Sequence, residues 1–409
     1  MFRMKKVLFL YAYGTLWTMA TIFYAVAGEG NGHAIRAKTI IDELRKEHAV
    51  HIFSHGKGYK YLKQFFPIKR ILGFHMYYIN NTVSSVLTGA INIAKLPLMA
   101  LASLQYPIAF IKRKPDVVIT DFEPFALYWA KLFNVPTISI DNQHSITNTK
   151  IDKIKGQWLT ALYSKIVIHT FLPSPNNTII TTFFPTEIIM KNTVLVPPVV
   201  KQDVQEIKQK RIKSKEQKNN EQKNKEHIFV YQTSSSYKRM LPILKKINKQ
   251  FIIYGFNKEA KEENLIFKKF NKEEYVEDLA TADAVIINGG FTTLSEALYL
   301  EKPIFSIPIK RQFEQIINGH YINKLQYGMA VKDITEENFI KFLNNKEKYR
   351  KDIKKLKWDG NALLFLALES LLSGERNPLK EFYGFGNRTG VPLSKKDVLE
   401  VRKNTSKWM

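Results

Sequence analysis

Apolar residues fall into two rhythms along this chain. Short unbroken runs mark strands buried on both faces, and stretches in which apolar positions recur every three or four residues mark helices with one buried face. TIFYAVA, Thr21 to Ala27, is the first short run. The loop GEGNGH follows, then HAIRAKTIIDELRKEH, where Ile35, Ile40, Ile41 and Leu44 share a helical face, then the strand AVHIFSHG. Strand, glycine loop, helix, strand is the unit of a parallel sheet with right-handed crossovers. Between Tyr59 and Lys114 the rhythm blurs into an apolar, aromatic and basic region with few acids. Helices buried in the domain are expected there, with no uninterrupted membrane span. PDVVITDFEPF, ALYWAKLFN and VPTISIDNQH restore the alternation, and KIVIHTF and NTVLVPPVV are expected to be the last strands of this half.

Residues 201–226 carry almost no large apolar side chains and are expected to form a linker or disordered insertion that contributes no core face. A second alternating set begins at HIFVYQTSSS. It continues through the helix MLPILKKIN, the strands FIIYGF and NLIFKKF and the helix EEYVEDLATA to the run Ala284 to Ile287, and its last helix is NALLFLALESLLSG. The expected fold is α/β, two doubly wound Rossmann-like domains facing a cleft. The expected divisions are an appendage (1–18), a first domain (19–200), the Lys-rich segment (201–226), a second domain (227–374) and a polar tail (375–409).

A length of 409 residues suits two such domains, and an apolar share of 45% is globular. The absence of cysteine excludes disulfides, thiolate catalysis and cysteine-ligated zinc, and favours a reducing compartment. A net charge of +25 is compatible with nucleic acid, an anionic membrane or anionic substrates. Lysine is scattered and no nucleic-acid-binding signature is present, so no specific nucleic-acid partner is expected. Arg3, Lys5 and Lys6 precede an uncharged stretch, Val7 to Gly28, of signal-anchor length, and Ala25-Val26-Ala27 mimics a cleavage site. Cleavage there would destroy the strand that feeds the glycine loop, so a cytoplasmic protein is expected, with membrane anchoring through residues 1–18 as the alternative. Phe65, Phe66, Ile71, Leu72 and Phe74 beside lysine and arginine make a second candidate for peripheral contact with the inner membrane face.

Candidate chemistry gathers at strand ends. In an open parallel sheet ligands bind beyond the carboxyl ends of strands, where Asp121, Glu123, Asp141, Asn142 and His144 would collect. His33, closing GEGNGH, is the candidate general base, with Asp121 or Glu123 orienting it or serving instead. In the second half, Ala284 to Ile287 runs into Asn288-Gly289-Gly290 and at once into a helical pattern, a junction whose free N–H groups favour an anion. Glu296 is open to two readings, a ligand contact or the last member of a capping box Thr293-Leu294-Ser295-Glu296.

GEGNGHAIR, ITDFEPF, ISIDNQH, and NGGFTTLSEAL followed by EQIIN resemble nucleotide-sugar glycosyltransferases of the GT-B fold. The likeness is to the branch with the UDP-glucose and UDP-glucuronate transferases and the lipid-linked N-acetylglucosaminyl transferase of peptidoglycan synthesis, and more narrowly to a poorly characterised archaeal and bacterial group. The resemblance implies transfer of a hexosyl unit from a nucleotide diphosphate sugar, UDP-linked, to an acceptor that is lipid-linked in one reading. It implies diphosphate contacts from Gly289, Gly290, Thr292 and Thr293, and ribose contacts from Glu296. Sugar contacts fall to Glu314 and Gln315, and phosphate contacts to Thr233 and Ser234. Phe270 sits where the base meets backbone, its side chain being core in the plain reading. Gly30 and Gly32 belong to the acceptor side with Asp141, Asn142 and His144. Asn288 stands where many relatives have histidine. No Asp-x-Asp element ends a strand, so neither a metal nor a cofactor beyond the nucleotide sugar, a co-substrate, is expected. A nucleotide-sugar 2-epimerase of the same fold and a non-enzymatic basic protein that binds nucleic acid or membranes are the alternatives.

Overall fold

A computed structural model describes residues 19–217, 227–232 and 238–373, apart from 76, 80, 81, 357, 359 and 360. The first half runs β1 (Thr21–Val26), α1 (Gly32–Leu44), β2 (Ala49–Ser54), α2 (Gly56–Leu62), β3 (Ile68–Arg70), β4 (Tyr78–Ile79), β5 (Thr82–Val83), α3 (Ser85–Ser103) and α4 (Gln105–Arg113). It continues β6 (Val117–Asp121), α5 (Pro124–Leu132), β7 (Thr137–Asp141), α6 (Ser145–Asn148), β8 (Thr149–Lys150), α7 (Trp158–Phe171), β9 (Asn177–Thr181), β10 (Glu187–Ile188) and β11 (Thr193–Val196). The second half runs α8 (Gln202–Gln217), β12 (His227–Tyr231), α9 (Leu241–Lys246), β13 (Gln250–Tyr254), β14 (Ala260–Glu262), β15 (Leu265–Phe267), α10 (Lys272–Thr281) and β16 (Ala284–Ile287). It ends α11 (Phe291–Tyr299), β17 (Ile304–Ser306), α12 (Phe313–Lys324), β18 (Gly328–Ala330), α13 (Glu336–Ile353) and α14 (Ala362–Leu372).

Two seven-stranded sheets result, ordered β11-β9-β7-β6-β1-β2-β3 and β14-β15-β13-β12-β16-β17-β18. Every pairing is parallel except that of the edge strand β14. Strand order reverses between β1 and β6 in the first sheet and between β12 and β16 in the second. The loops leaving those strands therefore diverge and open a crevice, which is where such sheets bind ligands. TIFYAV is central in its sheet and buried, as a both-faces strand requires.

Four expectations need correction. KIVIHTF is the end of helix α7, not a strand; a short apolar run is ambiguous, and here WLTALYS continues the pattern upstream at helical length. Residues 202–217 of the supposed linker form α8, whose Val204 and Ile207 join the core against α10. Its Lys208 Nζ lies 4.5 Å from the centre of the Tyr299 ring and donates to the Tyr299 carbonyl at 2.6 Å, so a lysine-rich helix still packs. NALLFLALESLL, read with the second domain, returns to the first sheet: Leu363, Leu364, Ala367 and Leu368 pack with Val194, Val196 and Ile179. Between Tyr59 and Lys114 the helices are not buried. Leu87–Arg113 is long and apolar enough, by length and composition, to cross a membrane, and most of it faces outward. Tyr106, Ala109 and Phe110 nevertheless pin α4 onto Phe23 and Phe53 of the sheet.

Candidate active site

The first-domain half is built where β1, β6 and β7 end. Asp121 closes β6 beside Val26, Asp141 closes β7, and the loop after β1 delivers His33 as the second residue of α1. His33 Nδ1 lies 2.6 Å from Asp121 Oδ1. Arg36, one turn along α1, grips the same carboxylate with a fork: Nε to Oδ2 at 2.8 Å and Nη2 to Oδ1 at 2.6 Å. Its Nη1 donates to Asn142 Oδ1 at 3.1 Å, so one guanidinium on α1 ties the ends of β6 and β7 together. Burial by itself would raise the Asp121 carboxyl, yet Arg36 and His33 hold it below its ordinary range. With Nδ1 turned to Asp121, the imidazole keeps Nε2 on the opposite side of the ring, the arrangement of an oriented base. Phe122 stacks on that ring at 6.1 Å from a left-handed backbone, φ 57°, which is strained for a bulky residue.

Glu123 does not join this cluster. It caps α5, accepting from Phe125 N–H at 3.2 Å and Ala126 N–H at 2.8 Å and from the Tyr106 hydroxyl at 3.0 Å. Burial pushes its carboxyl up to about 7 against those bonds. That geometry gives Glu123 a capping duty in place of the expected role as base or orienter. Asp141 and His144 form a second buried pair, Oδ2 to Nδ1 at 2.6 Å, with Ser139 Oγ also donating to Oδ2. Burial would raise Asp141, and His144 beside it pulls it far down. His55, unremarked in the sequence, supports the glycine loop: burial pushes its imidazole down to about 3, and neutral Nε2 accepts from Gly28 N–H at 2.9 Å.

The second-domain half is the turn between β16 and α11. Gly289 has φ 86°, and a Cβ there would stand 2.9 Å from Ser306 Oγ, so only glycine suits the position. Asn318 of α12 braces the turn by donating to the Gly289 carbonyl at 2.9 Å, while Gln315 accepts from Ile309 N–H at 2.9 Å and ties down the loop between β17 and α12. Gly290 is the N-cap of α11, with open space where a side chain would be. The capping box read at Thr293-Leu294-Ser295-Glu296 does not form, because the N-cap is Gly290, three residues before Thr293. Thr293 instead shares a hydrogen bond with the Tyr275 hydroxyl at 3.1 Å. Glu296 is 1% exposed, and its Oε1 lies 3.0 Å from Lys201 Nζ outside hydrogen-bond geometry. Phe270, expected in the core, is 65% exposed with its ring 5.3 Å from that of Tyr275. Thr233 and Ser234 lie outside the described residues.

The sequence model of glycosyl transferase family 1 matches residues 20–346. This chain belongs to that family. No curated protein sequence matches it. Among solved structures it is similar to CalG4, the calicheamicin glycosyltransferase, at TM-score 0.59 and 12% identity, over 88% of this chain and 99% of that one. It is also similar to MurG of Acinetobacter baumannii (TM-score 0.54, 12% identity, 87% and 99% covered). UGT89C1 of Arabidopsis thaliana complexed with UDP gives TM-score 0.56 and 14% identity, with 87% and 99% covered. The protein is thus a glycosyltransferase of GT-B fold.

In this glycosyltransferase the two halves face one another. Gly32 approaches the second domain so closely that a Cβ would meet Thr292 Oγ1 at 2.9 Å. Gln143 donates to Glu314 Oε2 at 3.1 Å across the cleft, and a small cavity between them is lined by Asn142, Ser145, Thr181, Phe291, Glu314 and Asn318. Phe184 stacks on Tyr321 at 3.8 Å, so the domains share one apolar cluster. Of the expected residues, His33, Asp121, Asn142, Gly32, Thr292 and Glu314 converge. Arg36 and Lys201 were missed; the signal for Arg36 was its place one turn from His33.

Proposed function

We propose that this glycosyltransferase moves a hexosyl unit from a UDP-linked sugar to a hydroxyl or amine held against the first domain, without a metal. The observation that carries the reading is the His33–Asp121 pair on a helix whose first residue, Gly32, approaches Thr292 in the first turn of α11. The diphosphate lies at Gly289, Gly290 and Thr292, where N–H groups and the helix dipole favour negative charge. Glu296 accepts from the ribose, and its buried Oε1, without a hydrogen bond among the described residues, supports that role. Glu314 takes sugar hydroxyls while Gln315 braces the loop beneath. His33 Nε2 takes the acceptor proton as the acceptor atom bonds to the anomeric carbon. The bond from that carbon to the diphosphate breaks, its electron pair leaves on the diphosphate, and the α11 terminus stabilises the charge. UDP in the plant relative's structure supports the choice of nucleotide.

The acceptor is lipid-linked and the enzyme works at the inner face of a membrane. Ile93, Leu96, Leu98 and Leu101 of α3 and Ile108 and Ile111 of α4 are exposed, and no acid occurs between Glu47 and Asp116. On α7, Trp158, Leu159, Leu162, Tyr163 and Ile166 extend the apolar surface, with Trp158 68% exposed. Helix α5 links the two faces through Trp129 Nε1 to Ser103 Oγ at 3.1 Å and the Tyr128 hydroxyl to the Thr170 carbonyl at 3.0 Å. Apolar groups ringed by lysine and arginine suit anionic headgroups.

A thermal-shift screen against nucleotides and nucleotide sugars tests the donor. UDP and UDP-hexoses raise Tm, by the equivalent of about 2.7 kcal/mol at a hundredfold excess over Kd; no shift from any nucleotide sugar would sink the reading. Co-sedimentation with phosphatidylglycerol vesicles at low salt tests the membrane face, and Leu98→Asp with Leu101→Asp should release the protein.

A further inference from the structure

Lys201 belongs to neither sheet. It ends the segment Pro197 to Lys201 that carries the chain from β11 into α8, and Asn361 clamps that segment through Val200, accepting from its N–H at 2.9 Å and donating to its carbonyl at 2.8 Å. From this fixed point the side chain enters the second domain, where Nζ sits 3.0 Å from Glu296 Oε1 and 5.2 Å from the centre of the Tyr275 ring. The titratable groups facing Glu296 come from five places: Lys201 of the segment, Asp203 of α8, Tyr275 of α10, Tyr231 of β12 and Tyr61 of α2. Lys201 is the cation among them, and Asp203 is itself engaged by Lys272 at 3.1 Å. Burial drives the Glu296 carboxyl upward and leaves it above its ordinary range; Lys201 opposes the rise and Asp203 adds to it.

We infer that Lys201 is a positioning residue of the donor site: from the segment joining the domains, its ammonium holds Glu296 as the carboxylate that receives the ribose hydroxyls. The inference rests on the ribose reading of Glu296. A carboxylate accepts two hydroxyl protons at once, whereas the neutral acid must donate from one of its oxygens. Lys201 at 3.0 Å balances the charge of Oε1, and the carboxylate, with about four acceptor positions, still has room for the ribose hydroxyls. Because the ammonium rides on the interdomain segment, any domain rotation that shifts the segment changes the field at Glu296. Donor affinity and domain opening are thereby linked, each altering the other by the same free energy.

Calorimetric binding of UDP and 2′,3′-dideoxy-UDP to the full chain tests this. Wild type prefers UDP, and Glu296→Gln removes most of that preference. Lys201→Met reduces UDP affinity roughly tenfold at pH 7, the equivalent of one unit of displaced ionisation. The loss recovers as pH rises and leaves dideoxy-UDP binding unchanged; Lys201→Arg restores UDP binding. A Lys201→Met protein with wild-type discrimination at pH 7 overturns the inference. Retained discrimination in Glu296→Gln overturns the ribose reading beneath it. Wild type supplies a readout that needs no substitution: its preference stays flat from pH 6 to 8, and a preference that climbs across that window shows that Lys201 does not hold the charge.

Discussion

On the first-domain side of the cleft, the buried charges already have partners. Asp121 is gripped by Arg36 and His33, Asp141 is held by His144 and Ser139, and Glu123 is capped into α5. On the second-domain side, Glu296 Oε1 and Ser306 Oγ are buried without a hydrogen bond among the described residues, and Gly290 faces open space. The difference matches two duties. Under the proposed function the base is oriented before the acceptor arrives, so the charges behind it are already paired. Under the same proposal the donor side gains its hydrogen bonds from the ligand, so unfilled polar atoms are expected there.

The largest test of that contrast is His33→Ala, expected to lower turnover by roughly 10²–10⁴-fold while the UDP-induced rise in Tm persists. Near-normal turnover would move the base to another group. Next comes the pH dependence of stability. The folded Glu123 carboxyl, pushed up to about 7, lies above the ordinary 4.5, so the folded state keeps a proton that the unfolded chain releases. Its contribution is full below the ordinary value and is lost as pH rises towards 7, on the order of 3 kcal/mol in all. Asp121 and Asp141 act with opposite sign: their folded values are depressed, so their stabilisation is present above the ordinary carboxyl range and lost as acid protonates them. Glu123→Gln should flatten the decline of Tm between pH 5 and about 7 and leave the acid limb in place; an unaltered decline contradicts the assignment.

A smaller effect separates the two glycines. Gly289→Ala strains a left-handed backbone and meets Ser306, so both Tm and UDP affinity should fall, by roughly 1–3 kcal/mol in stability. Gly290→Ala, at φ −62°, should leave Tm unchanged and weaken UDP alone, since its Cβ points into the open space proposed for the diphosphate. Equal effects at both positions would erase the distinction between frame and pocket. Smallest is Thr335→Ala, which removes the capping box of α13 and should cost about 1 kcal/mol with UDP affinity unaltered.

Much of the fold was legible because buried parallel strands leave unbroken apolar runs; β1, β6, β7 and β16 were readable for that reason. The strand-turn-helix junction at Gly289 was readable too, because a left-handed turn leaves a glycine. Helix α7 was misread where β-branched residues crowd its end, and α8 where Val204 and Ile207, two apolar residues among many lysines, suffice to pack the helix. Lys201 left no signal of its own, since a buried cation and a solvated one are the same letter, and Arg36 was marked only by its place one turn from His33.

The sequence by itself determined two alternating halves, a glycine turn suited to an anion and a histidine at a strand-to-helix loop, because local periodicity and backbone preference write those directly. Only the tertiary structure decided which carboxylates serve chemistry and which serve the frame. Asp121 and Glu123 stand two residues apart on one strand end, yet one meets a guanidinium and the other a helix terminus, and their proton affinities move in opposite directions. Glu296 likewise took its partner from the interdomain segment, ninety-five positions away in the chain (201 to 296). Burial sets the energy of a charge and its neighbours set the sign, and neighbours are a property of the folded chain.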